Sequence, residues 1–344
     1  MTKMTVEFIR GLLIVWMAMA LVACSSNEAK LEQSLIQIDD IARRQVDLLA
    51  RHISNGRVKN ALLLERYAAN VAKNKPDYRD IADALALDAG VDGPIFTSLN
   101  ARLDDAKNQI SKVAKQGGEA AQLLLQEYES INTAASVNNY NMMLTDPINV
   151  LADMSDGKLP RVGAMAKKAS ISSNGAKDLG HGSQLVGNPN YGQWKQSNNG
   201  TSFWAFYGQY AFFSSMLNSR YNYGYWSNSR DYSYYHDVGR RHYSSPAQKT
   251  AQVKTEDRTR KHFRSRGKSF QSPYAKAKSS GSSATRSVLK APSKFNSSGG
   301  GGKYSSRYGS SSKSSSGSNN SKSSSKYSSR SSKSSSRSYG GGGK

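Results

Sequence analysis

Residues 31–53 read LEQSLIQIDDIARRQVDLLARHI. Leu31, Leu35, Ile38, Ala42, Val46, Leu49 and Ile53 recur at spacings of three and four, one apolar stripe along a helix. Asn55-Gly56 follows, and both residue types accept the left-handed backbone that ends a helix. The same period continues downstream. A second helix is expected over about 57–73, with Leu62, Leu63, Tyr67 and Val71 inward, and Pro76 closes the link after it. Ile81, Leu85 and Leu87 mark a short helix. Gly93-Pro94 restarts the chain, and Ile95, Leu99, Leu103, Ile110 and Val113 mark another. Gly117-Gly118 breaks it before Leu123, Leu124, Tyr128 and Ile131. Several amphipathic helices with short links predict a mainly α fold, a small helical bundle over residues 24–160. Charges on these helices are mixed in sign, which reads as a solvated outer face. Only His52 lies here, without a Glu-x-x-His or an inward carboxylate pair, so no catalytic centre is expected in the bundle.

Residues 161–186 read as a linker, and composition then changes. Of the 32 aromatic residues in the chain, 17 fall between Tyr191 and Tyr243, and no charged residue occurs between Lys195 and Arg220. In that gap Phe203, Phe206, Tyr207, Tyr210 and Phe213 keep a helical step. The spacing predicts a helix over about 202–218, capped by Thr201 or Ser202. Tyr221, Tyr223 and Tyr225 alternate, as on a strand face. Three readings of this aromatic-rich module (187–243) stand open. It forms a satellite core or packs onto the bundle; it lies in a membrane interface; or it offers a stacking surface for sugars or bases. The surface candidates are Trp194, Trp204, Tyr207, Tyr210, Tyr225 and Trp226. His236, Asp237 and His242 invite an acid–base or metal reading, but the two histidines stand six apart, unlike zinc-helix or finger spacings, and Arg240 and Arg241 would repel a cation. His181, in a Gly-rich loop, is expected to be solvated.

From Ser244 apolar periodicity stops. Residues 240–344 hold 24 Lys and Arg against 2 Asp and Glu, whereas the preceding 239 residues are nearly balanced at 24 against 23. Ser/Lys repeats and the polyglycine runs 299–302 and 340–343 predict a disordered cationic tail over 244–344. Its candidate polyanion contacts begin with Arg240 and Arg241 and continue through Arg258, Arg260, Lys261, Arg264, Arg266 and Lys268. The mean hydropathy of the whole chain is −0.65, consistent with a part that buries no core.

At the other end, Lys3 and Arg10 precede a run of about 13 apolar residues from Gly11 to Ala23, short of the ~20 a spanning helix needs. The run ends in Leu21-Val22-Ala23-Cys24, which resembles the lipobox of bacterial lipoproteins. The resemblance covers about 24 residues. It implies that Leu21, Val22 and Ala23 are read by the signal peptidase, that residues 1–23 are removed, and that Cys24 is diacylated and holds the chain to membrane lipid. Ser25 and Ser26 follow in place of the Asp that retains such proteins at the inner membrane. In a Gram-negative envelope the resemblance therefore implies the outer membrane. Cys24 is the sole cysteine, which excludes an intramolecular disulfide and a multi-cysteine metal site.

Other chemistry-bearing motifs fail. Gly267-Lys268-Ser269 ends like a phosphate loop, but His262 stands where its first glycine belongs, and Ser323 to Lys326 is one of many chance Ser-x-x-Lys matches. No metal or cofactor is expected. The function expected is a non-enzymatic envelope tether or binding protein, lipid at one end and an anionic polymer at the other: lipopolysaccharide, peptidoglycan, teichoic acid or extracellular DNA. Two alternatives stand beside it. One is a structural or assembly partner of another envelope protein through residues 28–240; the other is an enzyme using His236, Asp237 and His242.

Overall fold

A computed structural model describes residues 3–198, 200–216, 221–275 and 277–279, with side chains from Asn27 onward, Met216 excepted. The fold is mainly α. In chain order the first helices are α1 Lys3–Ser54, α2 Lys59–Asn74, α3 Arg79–Ala86, α4 Pro94–Asn108, α5 Ile110–Gln116, α6 Gly118–Ala134, α7 Val137–Met143, α8 Thr145–Met154 and α9 Lys167–Asn174. An antiparallel hairpin follows, β1 Gly192–Gln196 and β2 Ser202–Phe206, with Trp194 opposite Trp204. Then come α10 Phe212–Met216, α11 Tyr223–Ser229, a wide π-helical turn Tyr235–Gly239, α12 Arg240–Tyr243 and α13 Pro246–Arg264.

The stripe on α1 is buried at Leu35, Ala42, Val46, Leu49 and Ile53, and α4, α5 and α6 pack along it. The helix stops at Gly56, whose φ of +65° lets Gly56 N–H reach Ile53 O and Arg57 N–H reach His52 O. Three inward assignments are off by a residue or two. In α2 the core takes Ala61, Leu64 and Ala68 with Tyr67 and Val71, leaving Leu62 exposed; Leu87 and Leu123 also face outward. In α2 and α6 a neighbouring apolar residue competes for the same face and the helix's rotation decides between them, whereas Leu87 starts a 3-10 turn that buries Asp88 and Ala89 instead.

Helix α8 is buried nearly all round, which marks a central helix. Its polar residues join the two halves of the chain. Asn149 donates to Val162 O (3.0 Å) and accepts from Val162 N–H (2.8 Å). The Asp146 carboxylate accepts from Ser233 Oγ (2.7 Å) and from the N–H groups of Tyr234 (2.8 Å) and Tyr235 (2.9 Å), satisfying donors at the start of the π-helical turn.

The aromatic segment therefore packs onto the bundle in one continuous core. Trp226, Tyr191, Tyr210, Tyr223, Tyr232, Tyr235 and Phe213 are fully buried in it. Two secondary-structure expectations are corrected here. Residues 202–216 are a strand, a short 3-10 turn and a five-residue helix, because β2 pairs with β1 across a turn at Gly200 (φ +79°), and residues 217 and 218 lie outside the described residues. Tyr223 and Tyr225 lie on α11, where the Asn222 side chain accepts from Gly224 N–H at the helix start. A third correction concerns the C-terminal segment. Order continues past Ser244 through α13, which belongs to the same unit as the bundle. The disorder expected for the remaining tail falls on residues 280–344, outside the described residues. Among the described residues no helix is long and apolar enough to cross a membrane.

Candidate functional site

The best-defined charged surface is on α13, built from its cap outward. Ser245 Oγ accepts from Gln248 N–H (3.1 Å), Gln248 Oε1 accepts from Ser245 N–H (2.8 Å), and Pro246 occupies the first helical position. The face turned to the protein is polar and small: Gln252, Thr255 and Thr259 are buried. Gln252 Nε2 donates to Tyr235 Oη (2.7 Å), which shares a 2.6 Å hydrogen bond with Ser244 Oγ. Both threonine hydroxyls donate back to the helix, to Ala251 O and Thr255 O, each at 2.9 Å.

The opposite face carries Lys254, Arg258, Lys261 and Arg264, all exposed at steps of four, three and three. That is one row of cations about 15 Å long. Arg266 and Lys268 extend it. They flank Gly267 (φ +64°) in a turn closed by Gly267 N–H to Arg264 O (3.0 Å) and Lys268 N–H to Phe263 O (2.9 Å). The two acidic residues of the segment do not neutralise this row. Arg260 holds both, Glu256 at 2.6 Å and Asp257 at 3.2 Å.

The eight cations singled out from sequence thus separate. Arg240 lies 3.8 Å over the Tyr274 ring and donates to Gln252, and Arg260 is paired. Arg241, Lys261, Arg264, Arg266 and Lys268 are exposed and join no ion pair among the described residues; exposed Arg258 donates to Gln196 Oε1 (3.0 Å).

The six aromatic candidates do not form a surface. Trp226, Tyr210 and Trp204 are core residues, and Trp194 is wedged between Trp204, Tyr223 and Trp226 at centroid distances of 5.1, 4.7 and 5.2 Å. Only Tyr207 (43% exposed) and Tyr225 (49%) face out, and Lys177 Nζ sits 5.2 Å from the Tyr225 ring. The rings supply the apolar bulk that a second layer on the bundle needs.

His236, Asp237 and His242 are each committed to structure. His236 is buried against Trp226, Tyr235 and Tyr274, and its Nε2–H donates to Val186 O at 2.7 Å. Burial, reinforced by the Arg230 charge, holds its pKa well below the ordinary histidine value. Asp237 is gripped by Arg230 (2.7 and 3.0 Å). His242 gives its carbonyl to Arg102 (2.5 Å), and burial and Arg241 lower its pKa. Among the described residues no group of three His, Cys, Asp or Glu is placed to hold a metal. His181, expected in solvent, is half-buried edge-on to Tyr78. Residues Leu21, Val22, Ala23 and Cys24 lie within α1, and their side chains are outside the described residues.

Sequence reasoning missed two buried carboxylates. Burial pushes both Asp88 and Asp146 up to about 7, against hydrogen bonds that pull them down: Tyr191 Oη (2.7 Å) and Ile95 N–H (3.1 Å) for Asp88, the three donors above for Asp146. Nothing local marks them, since their burial is created by the second half of the chain. The ordered α13 had a local signal, Ser245-Pro246-x-Gln248, a capping box with proline at N1. Comparison with family models, with curated proteins and with solved structures found no match to this chain.

Proposed function

We propose that the protein is a non-enzymatic envelope lipoprotein that ties a membrane to an anionic polymer. The reading rests at one end on the lipobox ending in Cys24. At the other it rests on the cationic segment after residue 239, the observation that carries it, of which the unneutralised row of α13 is the folded root. That row is rooted in the folded body and continues in sequence into residues 280–344, which hold twelve further Lys and Arg and no acid. Density of positive charge, rather than a shaped pocket, is the recognition chemistry, so binding proceeds by counterion release and tolerates different polymers. Two or more acyl chains on Cys24 supply a stable anchor where one would not.

The order of α13 decides where to cut. Ending the chain at Ser244 would remove a structural helix, whereas ending it at Ser279 spares every described residue. Expressed in cells, the parent chain should incorporate labelled palmitate and sediment with membranes, and Cys24→Ser should do neither. In pull-downs on peptidoglycan, lipopolysaccharide and DNA, the chain ending at Ser279 should retain its fold and lose most of its binding. Palmitate labelling that survives Cys24→Ser, or pull-downs unchanged by the truncation, would sink the proposal.

A further inference from the structure

We propose that Val288 and Leu289 dock, within the same chain, in the groove between α9 and the segment 152–161. This is an interaction surface for the chain's own C-terminal region, and it does not depend on the polyanion reading.

The groove encloses about 670 Å³. Ala152, Leu159 and Pro160 come to it from α8 and the loop that follows, Ala166 and Ile171 from α9 and its cap. Its charged lining balances, with Asp153, Asp156 and Asp178 against Arg161, Lys167 and Lys168. Most of these charges are paired: Arg161 holds Asp153 (2.7 Å), Lys167 holds Asp178 (2.9 Å), and Asp156 is held by Lys75. The groove therefore offers apolar surface inside a neutral rim. Both walls are fixed in advance. Tyr67 Oη donates to Pro160 O (2.9 Å), and Ser155 Oγ accepts from Leu159 N–H (2.9 Å). On α9, Ser170 Oγ donates to Asp231 (2.6 Å). A preformed groove loses little freedom when it is filled.

The described chain ends against α9. Ser279 N–H donates to Asn174 Oδ1 (2.7 Å), and Ser279 Oγ bonds the same oxygen (2.9 Å) and Ser173 Oγ (3.2 Å). Asn174 is the last residue of α9, about 5 Å along the axis from Ile171. Val288 and Leu289 stand nine and ten residues beyond Ser279, and nine residues span at most about 30 Å. They are the only Val, Leu, Ile or Met among residues 280–344. So low an apolar content supplies no core of its own in which to bury them. The short connection holds them at an effective concentration on the order of millimolar, so a contact too weak to join separate molecules is populated within one. Arg286 and Lys290 flank the pair and meet a rim whose charges cancel. Ten of the twelve cations in 280–344 lie beyond Pro292, so docking sets the point on the body from which they extend.

The test exposes the full chain from Ser25 to dilute trypsin and follows cleavage after Arg286 and Lys290. Ile171→Ser leaves the cleaved sequence untouched and should speed both cuts at least about threefold, because cleavage tracks the population of the undocked form. Cleavage after Lys322 should be unchanged, and a thermal melt checks that the variant is folded. A second measurement needs no change in the folded body. A peptide of residues 283–295, added to the chain ending at Ser279, should give saturable shifts of the Leu159 and Ile171 methyl resonances. The same peptide carrying Val288→Ser and Leu289→Ser should give none. Equal cleavage rates in parent and Ile171→Ser would overturn the proposal. So would peptide shifts centred elsewhere, such as on Leu123 and Val113 in the groove of α5 and α6, or protection that grows with protein concentration and so comes from a second copy. Those failures leave the tether reading intact, since that reading answers to the pull-downs.

Discussion

Asp146 and Asp88 hold the aromatic layer on the bundle, and both do so as carboxyls with affinity for a proton near neutrality. Their pKa is about 7 in the folded chain, against an ordinary value of 3.8. Between those values the folded state binds protons that the unfolded state has released, so their contribution to stability is complete below about pH 4. It falls as pH rises toward 7 and changes little beyond. Asp88→Asn tests this. The amide can still accept from Ile95 N–H and can donate to Tyr191 Oη, so the variant should fold and show a flatter fall in stability from pH 4.5 to 7.5 in urea melts. Identical pH profiles for parent and variant would contradict the assignment. Asp146→Asn should behave differently. Three donors converge on that carboxylate, and an amide turns one acceptor against an N–H, costing about 1–3 kcal/mol at pH 7.5 in the same melts. Neither residue was legible in the sequence. An Asp on a helix reads as solvent-facing, and only the later arrival of Tyr191 and of Ser233–Tyr235 encloses these two. Trp226 was noticed for its ring, but its burial was equally a tertiary outcome.

Helices with long apolar stripes were legible because their spacing carries the whole signal: α1, α4 and α6 follow from Leu35, Leu49, Leu99, Leu103, Tyr128 and Ile131. The hairpin was not, since Phe203, Phe206, Tyr210 and Phe213 keep a helical step by accident across a strand, a 3-10 turn and a short helix. Asn199-Gly200 in the sequence is the hairpin signal that outweighs that period. Helix α13 was hidden for the opposite reason. Its inward face is Gln252, Thr255 and Thr259, and polar packing leaves no apolar period. Its stability should therefore lean on its ends. Ser245→Ala removes the cap and should cost about 1 kcal/mol in urea melts. Gly224→Ala forces a methyl into Phe263 and should cost about 1–3 kcal/mol in the same measurement, loosening the C-terminal turn. Parent-like stability in both variants would mean that α13 is not held as described.

At the scale of the whole molecule, charge is segregated. The segment after residue 239 holds nearly all the net charge, and that much was legible because charge simply adds along a chain. What the sequence left unresolved was the boundary: a cationic segment assigned wholly to a tail begins instead as a packed helix, which gives the proposed polymer-binding region a fixed root. The most direct test measures the association constant for a DNA duplex, as a model polyanion, against salt concentration. It compares the full chain from Ser25 with the same chain ending at Ser279. A linear fall of log K with log salt is expected for the full chain. Removing the twelve distal cations should leave a visibly shallower line and affinity at least about tenfold weaker at 0.1 M salt. Equal constants and equal slopes for the two chains would contradict it.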